Sequence, residues 1–145
     1  MPQVYDKTDF IWGSRGDIVL NAGDVMDTYA DPLRSLYQEV RTRVMSALND
    51  WKNYPDLGAT LSDFVGEPNN KATAENVKIR VITSITRNGL VKNSDIKVRY
   101  APIDVDKLMV RITISVSPTS RNAGSEYLTI NILYDYSENH AYFIQ

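Results

Sequence analysis

The sequence predicts an α+β fold, with two long helices and a short one packed on a three- to four-stranded antiparallel sheet that includes a long C-terminal hairpin. Within residues 33–48 and again within residues 77–85, apolar side chains recur at steps of three and four, the spacing of amphipathic helices. From residue 96 onward they occupy every second position, the spacing of strands with one buried face. Helices and strands are therefore segregated along the chain, which is the pattern of α+β domains.

The N-terminal residues 1–16 mix three aromatic side chains with proline and glycine and show no period, which indicates a flexible arm. Residues 17–145 are predicted to form a single domain, because a chain of 145 residues has the length of one domain with a sizeable core. The first element of this domain is a short apolar strand at residues 17–20, closed by a turn at residues 21–24.

The first long helix is predicted to begin at Asp31 and Pro32, because aspartate can cap free backbone amides and proline is tolerated in the first turn. The opposite side of this helix is interpreted as a solvated face that carries Arg34, Gln38, Arg41 and Thr42. Its apolar stripe consists of Leu33, Leu36, Tyr37, Val40, Val44, Ala47 and Leu48.

A short helix is predicted within residues 58–65 and is ended by Gly66. Thr73 is the predicted N-cap of the second long helix, and Gly89 is predicted to close that helix at its C′ position. The residues predicted to face inward are Leu61, Phe64 and Val65 on the short helix and Val77, Val81, Ile82 and Ile85 on the long one.

The C-terminal third of the chain is predicted to form the sheet. A first strand at residues 96–100 is followed by a turn at residues 101–104, and residues 142–144 form a short apolar tail. Two long strands joined by a loop at residues 118–124 are predicted between them, as an antiparallel hairpin. Their buried faces carry Leu108, Val110, Ile112, Ile114 and Val116 on one strand and Leu128, Ile130, Ile132, Tyr134 and Tyr136 on the other.

This hairpin lacks the usual protections of a strand edge. Its solvent-facing side is rich in threonine and serine with few charges, and neither strand contains an internal proline. An edge of this kind can accept a strand from another chain by β-augmentation. The sequence therefore predicts that the hairpin pairs with a partner.

Composition argues against several kinds of chemistry. One histidine and no cysteine exclude the common transition-metal ligand sets, and a net charge of −2 gives no general attraction to nucleic acid. No window approaches ~18 consecutive apolar residues, and the N-terminus lacks a basic-then-apolar signal, so neither membrane insertion nor export is predicted.

The candidate catalytic groups have simpler interpretations. Asp63 and Glu67 are four residues apart, so one short helix could bring them together as the acid pair of a glycosidase, although surface acids at this spacing are common. His140 lies beside Ser137 and Glu138, but neighbours in sequence do not assemble a catalytic triad. We predict no catalytic residue, no metal and no cofactor. A small peptidoglycan-cleaving enzyme that uses Glu67 or Asp63 as its acid remains the alternative from another class.

Several motifs in order resemble the baseplate wedge proteins of contractile phage tails, the sheath-initiator family sometimes labelled "lysozyme-like", which has relatives in type VI secretion baseplates. The resemblance covers roughly residues 17–136. The matching segments are Asp17-Ile18-Val19-Leu20, Tyr54-Pro55-Asp56-Leu57-Gly58-Ala59-Thr60-Leu61, Phe64-Val65-Gly66-Glu67-Pro68-Asn69-Asn70, and Gly89-Leu90-Val91 leading into Ile96-Lys97-Val98.

The resemblance implies a structural protein of the virion, present in six copies around the tail axis of the baseplate and assembled in the host cytoplasm. It implies that the chain offers a strand edge to the tail sheath protein and thereby starts sheath assembly. The expected sheath-docking residues are Leu128, Ile130, Ile132, Tyr134, Tyr136, Tyr142 and Phe143. A second expected contact set, toward other baseplate wedge and hub proteins, is Arg34, Arg41, Trp12, Glu67 and Asn88.

The chain departs from the family at one place. Many members carry a Glu-Pro-Arg motif directly after the second long helix, whereas this chain reads Asn88-Gly89-Leu90 there. A contact that depends on that arginine is therefore not expected. A further alternative is an adaptor that binds only other baseplate proteins, through the arginines of the first helix and the aromatic arm, with the hairpin buried inside the domain.

Overall fold

The computed structural model describes residues 8–13, 15–116 and 127–144. It confirms the α+β class: two helices pack on a four-stranded antiparallel sheet, and a small two-stranded sheet precedes them. The loop predicted at residues 118–124 lies outside the described residues. In chain order the elements are β1 (Leu20–Asn21), β2 (Asp24–Val25), α1 (Pro32–Met45), a 3₁₀ helix (Leu61–Phe64), α2 (Lys71–Thr86), β3 (Ile96–Asp104), β4 (Lys107–Ser115), β5 (Tyr127–Asp135) and β6 (His140–Ile144).

The N-terminal part forms a small unit around the β1–β2 hairpin. Its two turn residues, Ala22 and Gly23, have φ values of 50° and 81°, the left-handed pair that tight hairpin turns require. The strand predicted at residues 17–20 is shorter and starts later than expected, since β1 consists of Leu20–Asn21. Residues 9–12 pair with residues 18–28, for example through the Ile11 amide, which donates to the Met26 carbonyl over 3.0 Å. The division of the chain at residue 16 stays a prediction, and residues 1–7 lie outside the described residues.

Helix α1 begins where the sequence predicts but ends earlier. Asp31 occupies the N-cap position without a capping bond from its side chain, so the predicted capping role is wrong. The chain turns extended at Ser46, which leaves Ala47 and Leu48 outside the helix and Leu48 44% exposed. The middle of the predicted stripe is confirmed as core, since Leu36, Val40 and Val44 are buried.

The short helix and α2 agree with the predicted apolar faces, with corrections at their ends. Val65 is 47% exposed because the chain leaves the 3₁₀ helix there. Asn70, three residues before Thr73, is the true N-cap of α2, and its side chain accepts the Thr73 amide over 2.9 Å. Helix α2 ends at Thr86, so Gly89 lies in the following 3₁₀ turn and does not occupy the C′ position. The confirmed buried residues are Leu61, Phe64, Val77, Val81 and Ile85.

The large sheet has the simple order β3-β4-β5-β6. The predicted long hairpin is the β4–β5 pair, with Leu108 opposite Tyr134 and Ile114 opposite Leu128. The turn predicted at residues 101–104 is wrong, because β3 continues through an irregularity between Pro102 and Asp104 and turns only at residues 105–106. The apolar tail proves to be a fourth strand, β6, which pairs with residues 131–135 of β5.

One face of the sheet forms the core against α1 and α2. Tyr134 spans this core, and its hydroxyl donates to the Leu61 carbonyl over 2.6 Å. Arg43 is buried between the helices, where its Nη1 donates to the carbonyls of Ser84 and Arg87 at the end of α2. A cation at that position satisfies free carbonyls and interacts favourably with the helix dipole. Arg43 therefore fixes α1 relative to α2, a role that the sequence pattern did not indicate.

Candidate functional site: a groove between α1 and the edge strand β6

The two edge strands of the sheet, β3 and β6, differ in their protection. Strand β3 carries Lys97, Arg99 and Pro102, which are the residue types that keep an edge from pairing with other chains. Strand β6 reads His-Ala-Tyr-Phe-Ile and contains no proline, lysine or arginine. The unprotected edge of this sheet therefore belongs to β6.

This free edge continues beyond the end of β6. Because β6 pairs only with residues 131–135, the first residues of β5, 127–130, have no strand partner on that side among the described residues. These residues are therefore a second, short stretch of free edge, which lies one strand position inward from the outer edge of β6.

A groove of about 730 Å³ runs between this edge and α1. A second hollow of about 300 Å³ adjoins it where β5 is uncovered, and Arg34 and Tyr37 line both. The groove therefore accompanies the free edge over most of its length. Its principal lining residues are Trp12 and Arg15 from the N-terminal unit, Arg34, Tyr37 and Arg41 from α1, and Phe143 from β6.

Aromatic contacts fix β6 against α1. The rings of Tyr37 and Phe143 meet edge to face, with centroids 6.2 Å apart and planes at 87°. The guanidinium carbon of Arg41 lies 5.8 Å from the centroid of the same Phe143 ring, within the range of a cation–π interaction. These contacts make Phe143 the floor of the groove and leave the outer edge of β6 open.

The groove is positively charged although the chain as a whole is acidic. Arg15, Arg34 and Arg41 line it, and Asp31 is a lining carboxylate of the adjoining hollow. Arg34 makes no ion pair with any carboxylate in the described part of the chain, and its buried Nε has no hydrogen-bond partner there. The guanidinium as a whole is partly exposed, so a carboxylate supplied by a partner would be a favourable acceptor for it.

Gln38 sets the position of the N-terminal unit beside the groove. Its Oε1 accepts the Trp12 amide over 2.9 Å, and its Nε2 donates to the Phe10 carbonyl over 3.0 Å. Gln38 is buried, so its assignment to a solvated face is wrong, and Arg34 and Arg41 are only half exposed. The helical period could not reveal this, because the partner of Gln38 is the backbone of a distant segment.

Asp135 holds the turn that places β6. Its Oδ1 accepts the backbone amides of Ser137 and Glu138 and the Ser137 hydroxyl, over 2.9, 3.2 and 2.7 Å. The hydroxyl bond from Ser137, followed by the backbone amides and the nearby Lys107, lowers the pKa of Asp135 despite partial desolvation. This buried carboxylate was missed at the sequence level, although an aspartate before a polar turn is a typical turn-former.

The expected sheath-docking residues do not form one surface. Ile130, Ile132, Tyr134 and Tyr136 are each at most 2% exposed and belong to the core. Over residues 131–135, β5 is an interior strand whose backbone is already paired on both sides. The remaining three lie at or near the free edge: Leu128 in the second hollow, Phe143 on the groove floor, and Tyr142 exposed on the outer sheet face. The sheath-binding role of all seven residues stays a prediction.

The expected baseplate residues separate into two groups. Trp12, Arg34 and Arg41 come together in the groove, next to Phe143. Glu67 and Asn88 are both exposed and lie elsewhere, Glu67 beyond the 3₁₀ helix and Asn88 in the turn after α2 with a φ of 59°. The structure thus joins residues from two separate sequence predictions into one groove.

The candidate acids of the alternative enzyme are not placed on one helix. The 3₁₀ helix ends at Phe64, so Glu67 lies beyond it, while Asp63 forms an exposed ion pair with Arg80 over 3.0 Å. The His140 ring contacts Tyr142, and the Ser137 hydroxyl is donated to Asp135. Within residues 8–13, 15–116 and 127–144, no three His, Asp or Glu side chains are grouped so that they could hold a metal ion.

Neither a protein-family model, nor a curated protein, nor a solved structure matches this chain. In the described ranges, neither helix combines the length and the apolar character that a bilayer-spanning helix needs. The resemblance to the sheath-initiator family therefore stays a prediction, and the geometry of the groove is the ground for a functional proposal.

Proposed function

We propose that this chain is a structural baseplate protein of a contractile tail, which anchors and initiates the tail sheath by pairing a sheath strand with the β6 edge. The observation that carries the proposal is the unprotected β6 edge beside an open groove, in a sheet whose opposite edge carries lysine, arginine and proline.

Strand addition suits this site for two reasons. The free backbone groups of β6 can form hydrogen bonds with any extended chain, and this gives affinity without a preformed side-chain pocket. The groove between β6 and α1 then receives every second side chain of the added strand, and this sets the register. The β6 edge thus supplies affinity, and the groove along α1 supplies the selection of register.

The wider setting follows from the sequence resemblance. We propose six copies around the tail axis, contacts with other wedge and hub proteins, and a place in the virion baseplate after assembly in the host cytoplasm. In this role the domain is not an enzyme, and its rigid α1–α2 pair carries force from the baseplate to the first sheath ring. Arg43, which joins the two helices, is part of that rigid connection.

A pair of proline variants tests the proposal. Successive amides along a strand point to opposite edges, so of Tyr142→Pro and Phe143→Pro one removes an outward amide and the other removes an amide bonded to β5. Alanine at each position controls for the lost ring. Purified sheath protein is then mixed with each variant and followed by co-sedimentation and electron microscopy.

We expect one proline variant to keep the melting temperature of its alanine control while losing sheath binding and sheath initiation. Sheath binding by both variants at wild-type level, with both folded, would overturn strand pairing at β6. Absence of sheath binding by the wild-type chain, together with binding to wedge or hub proteins, would support the adaptor alternative. Deleting residues 127–145 is a poorer test, because it removes Ile130, Ile132 and Tyr134 from the core.

A further inference from the structure

We infer that the strand received by this groove is an extended acidic segment, with carboxylate side chains at every second position facing α1 and apolar side chains at the positions between. The inference rests on the proposed strand pairing at β6, but it does not depend on which protein supplies the strand.

The alternation follows from the geometry of β6. Side chains of a strand alternate between the two faces of its sheet, and directly opposite residues on neighbouring strands share a face. Phe143 and Ala141 lie on the inner face, opposite Ile132 and Tyr134, whereas Tyr142 and Ile144 lie on the outer face. A strand added beside β6 would therefore direct every second side chain toward α1.

The inner positions of that strand would meet positive charge. Arg34 and Arg41 project from α1 into the groove, and Arg15 lines it from the N-terminal unit. Arg34 is partly exposed and makes no ion pair with a carboxylate of the described residues, so a strand that covers it must supply an acceptor or remove the guanidinium from water without one. Glutamate or aspartate supplies the bidentate acceptor that a guanidinium prefers.

The outer positions would meet a different surface. Tyr142 and Ile144 are exposed there, and Leu133 of β5 lies directly opposite Tyr142 and is half-buried. Apolar or aromatic cross-strand neighbours would cover this row and add stability to the pairing. The predicted occupant is thus amphipathic at the period of two residues, acidic on one side and apolar on the other.

Three synthetic peptides test this pattern. The first alternates glutamate with valine and tyrosine, the second has the same composition with all glutamates in one block, and the third alternates lysine with valine and tyrosine. Each carries a fluorescent label, and binding to the full chain is measured by anisotropy at low and high salt. We expect the first peptide to bind at least about tenfold more tightly than either of the others, with weaker binding at high salt.

Charge variants locate the contact. Arg34→Gln and Arg41→Gln are expected to weaken the alternating acidic peptide by roughly tenfold each, the loss expected for a charge-assisted hydrogen bond. Arg99→Gln is the matched control, because Arg99 lies exposed on the outer face of β3 at the opposite edge of the sheet. Equal binding by the block peptide or the lysine peptide, or an equal loss with Arg99→Gln, would overturn the inference.

The outcomes separate this inference from the proposed function. If sheath protein binds through β6 but the Arg34→Gln and Arg41→Gln variants bind it normally, the sheath proposal stands and the acidic-strand inference is wrong. If the alternating peptide binds at β6 while sheath protein does not, the acidic-strand inference stands and the sheath proposal is wrong. Melting temperatures of all variants are measured alongside, so that loss of binding is not mistaken for loss of folding.

Discussion

The two edge strands of the large sheet, β3 and β6, differ in how well they are protected against pairing with another chain. Strand β3 has nine residues and carries two cations and a proline, whereas β6 has five residues and none of these. Among the described residues neither strand has a partner on its outer side, and each has a helix nearby, α2 for β3 and α1 for β6. The groove lined by Arg34 and Arg41 lies beside β6. Because β3 is protected against pairing with other chains, the absence of the same residue types from β6 points to β6 as the edge that a partner strand would use.

The largest effect is expected from disturbing the end of α1, the helix that forms the groove wall. A Cβ on Gly58, whose φ is 142°, would lie 2.7 Å from the Ser46 carbonyl oxygen and the Ala47 carbonyl carbon. Gly58→Ala should therefore destabilise the fold by roughly 2 to 4 kcal/mol, as overpacking adds to backbone strain. Chemical denaturation measures the free energy of unfolding.

Gly66→Ala is the matched control for this change. Gly66 also has a positive φ, 83°, but a Cβ there would meet nothing within 4 Å. Its cost should be only about 1 kcal/mol, the cost of the left-handed backbone alone. Equal losses for the two variants would show that the contact with the end of α1 is unimportant.

The next effect concerns the turn that attaches β6. Asp135→Asn removes the charge that accepts two backbone amides and the Ser137 hydroxyl, so the melting temperature should fall by several degrees. Because the pKa of Asp135 is lowered below its ordinary value of 3.8, its contribution is present above that pH and is lost as the pH falls below it.

Thermal melts from pH 7 to pH 2 should thus converge for Asp135→Asn and wild type as acid is added. Asp106→Asn serves as the control, since Asp106 also contacts Lys107 but does not hold the β5–β6 turn. Convergence in the control and not in Asp135→Asn would contradict the assigned role.

A smaller effect is expected from exchanging the protections of the two edges. Replacing Lys97 and Arg99 by threonine removes both positive charges from β3, and we expect slow, concentration-dependent association through that edge. Tyr142→Lys places a charge on β6 and should weaken strand pairing there without changing the melting temperature by more than a degree or so. Analytical ultracentrifugation measures the self-association of the β3 variant and the strand pairing of the Tyr142→Lys variant. A monomeric Lys97→Thr, Arg99→Thr variant would mean that Pro102 alone protects β3.

Much of the fold could be predicted from sequence because it depends on short periods. The alternation through Leu108–Val116 and Leu128–Tyr136 and the stripe at Leu36, Val40 and Val44 all describe local geometry. The site could not be predicted in the same way, because strand order decides which edge is free. Alternation identified β5 as a strand but could not reveal that β6 covers its residues 131–135.

The groove itself arises from contacts between distant segments. Gln38 bonds the backbone of residues 10–12, and Arg43 bonds the end of α2 more than forty residues away, at Ser84 and Arg87. Neither contact leaves a periodic signal, and a single sequence places both residues on a polar helix side. The sequence did single out Trp12, Arg34, Arg41 and Phe143 as candidate binding residues. Only the three-dimensional structure shows that they line one groove.

A final effect distinguishes the core side of β5 from its edge. Burial raises the pKa of Tyr134 to about 12, from its ordinary value of 10.0, and its hydroxyl is bonded to the Leu61 carbonyl. A raised folded-state pKa means that the stabilising contribution is complete below pH 10 and is lost as the pH rises toward 12. Tyr134→Phe should cost about 1 kcal/mol at neutral pH, for the lost hydrogen bond, and should show a shallower loss of stability between pH 10 and pH 12. Tyr54→Phe, at an exposed position, should leave both quantities unchanged. An unchanged alkaline slope in Tyr134→Phe would mean that this hydroxyl is reached by solvent, and that the core side of β5 is more open than its burial indicates.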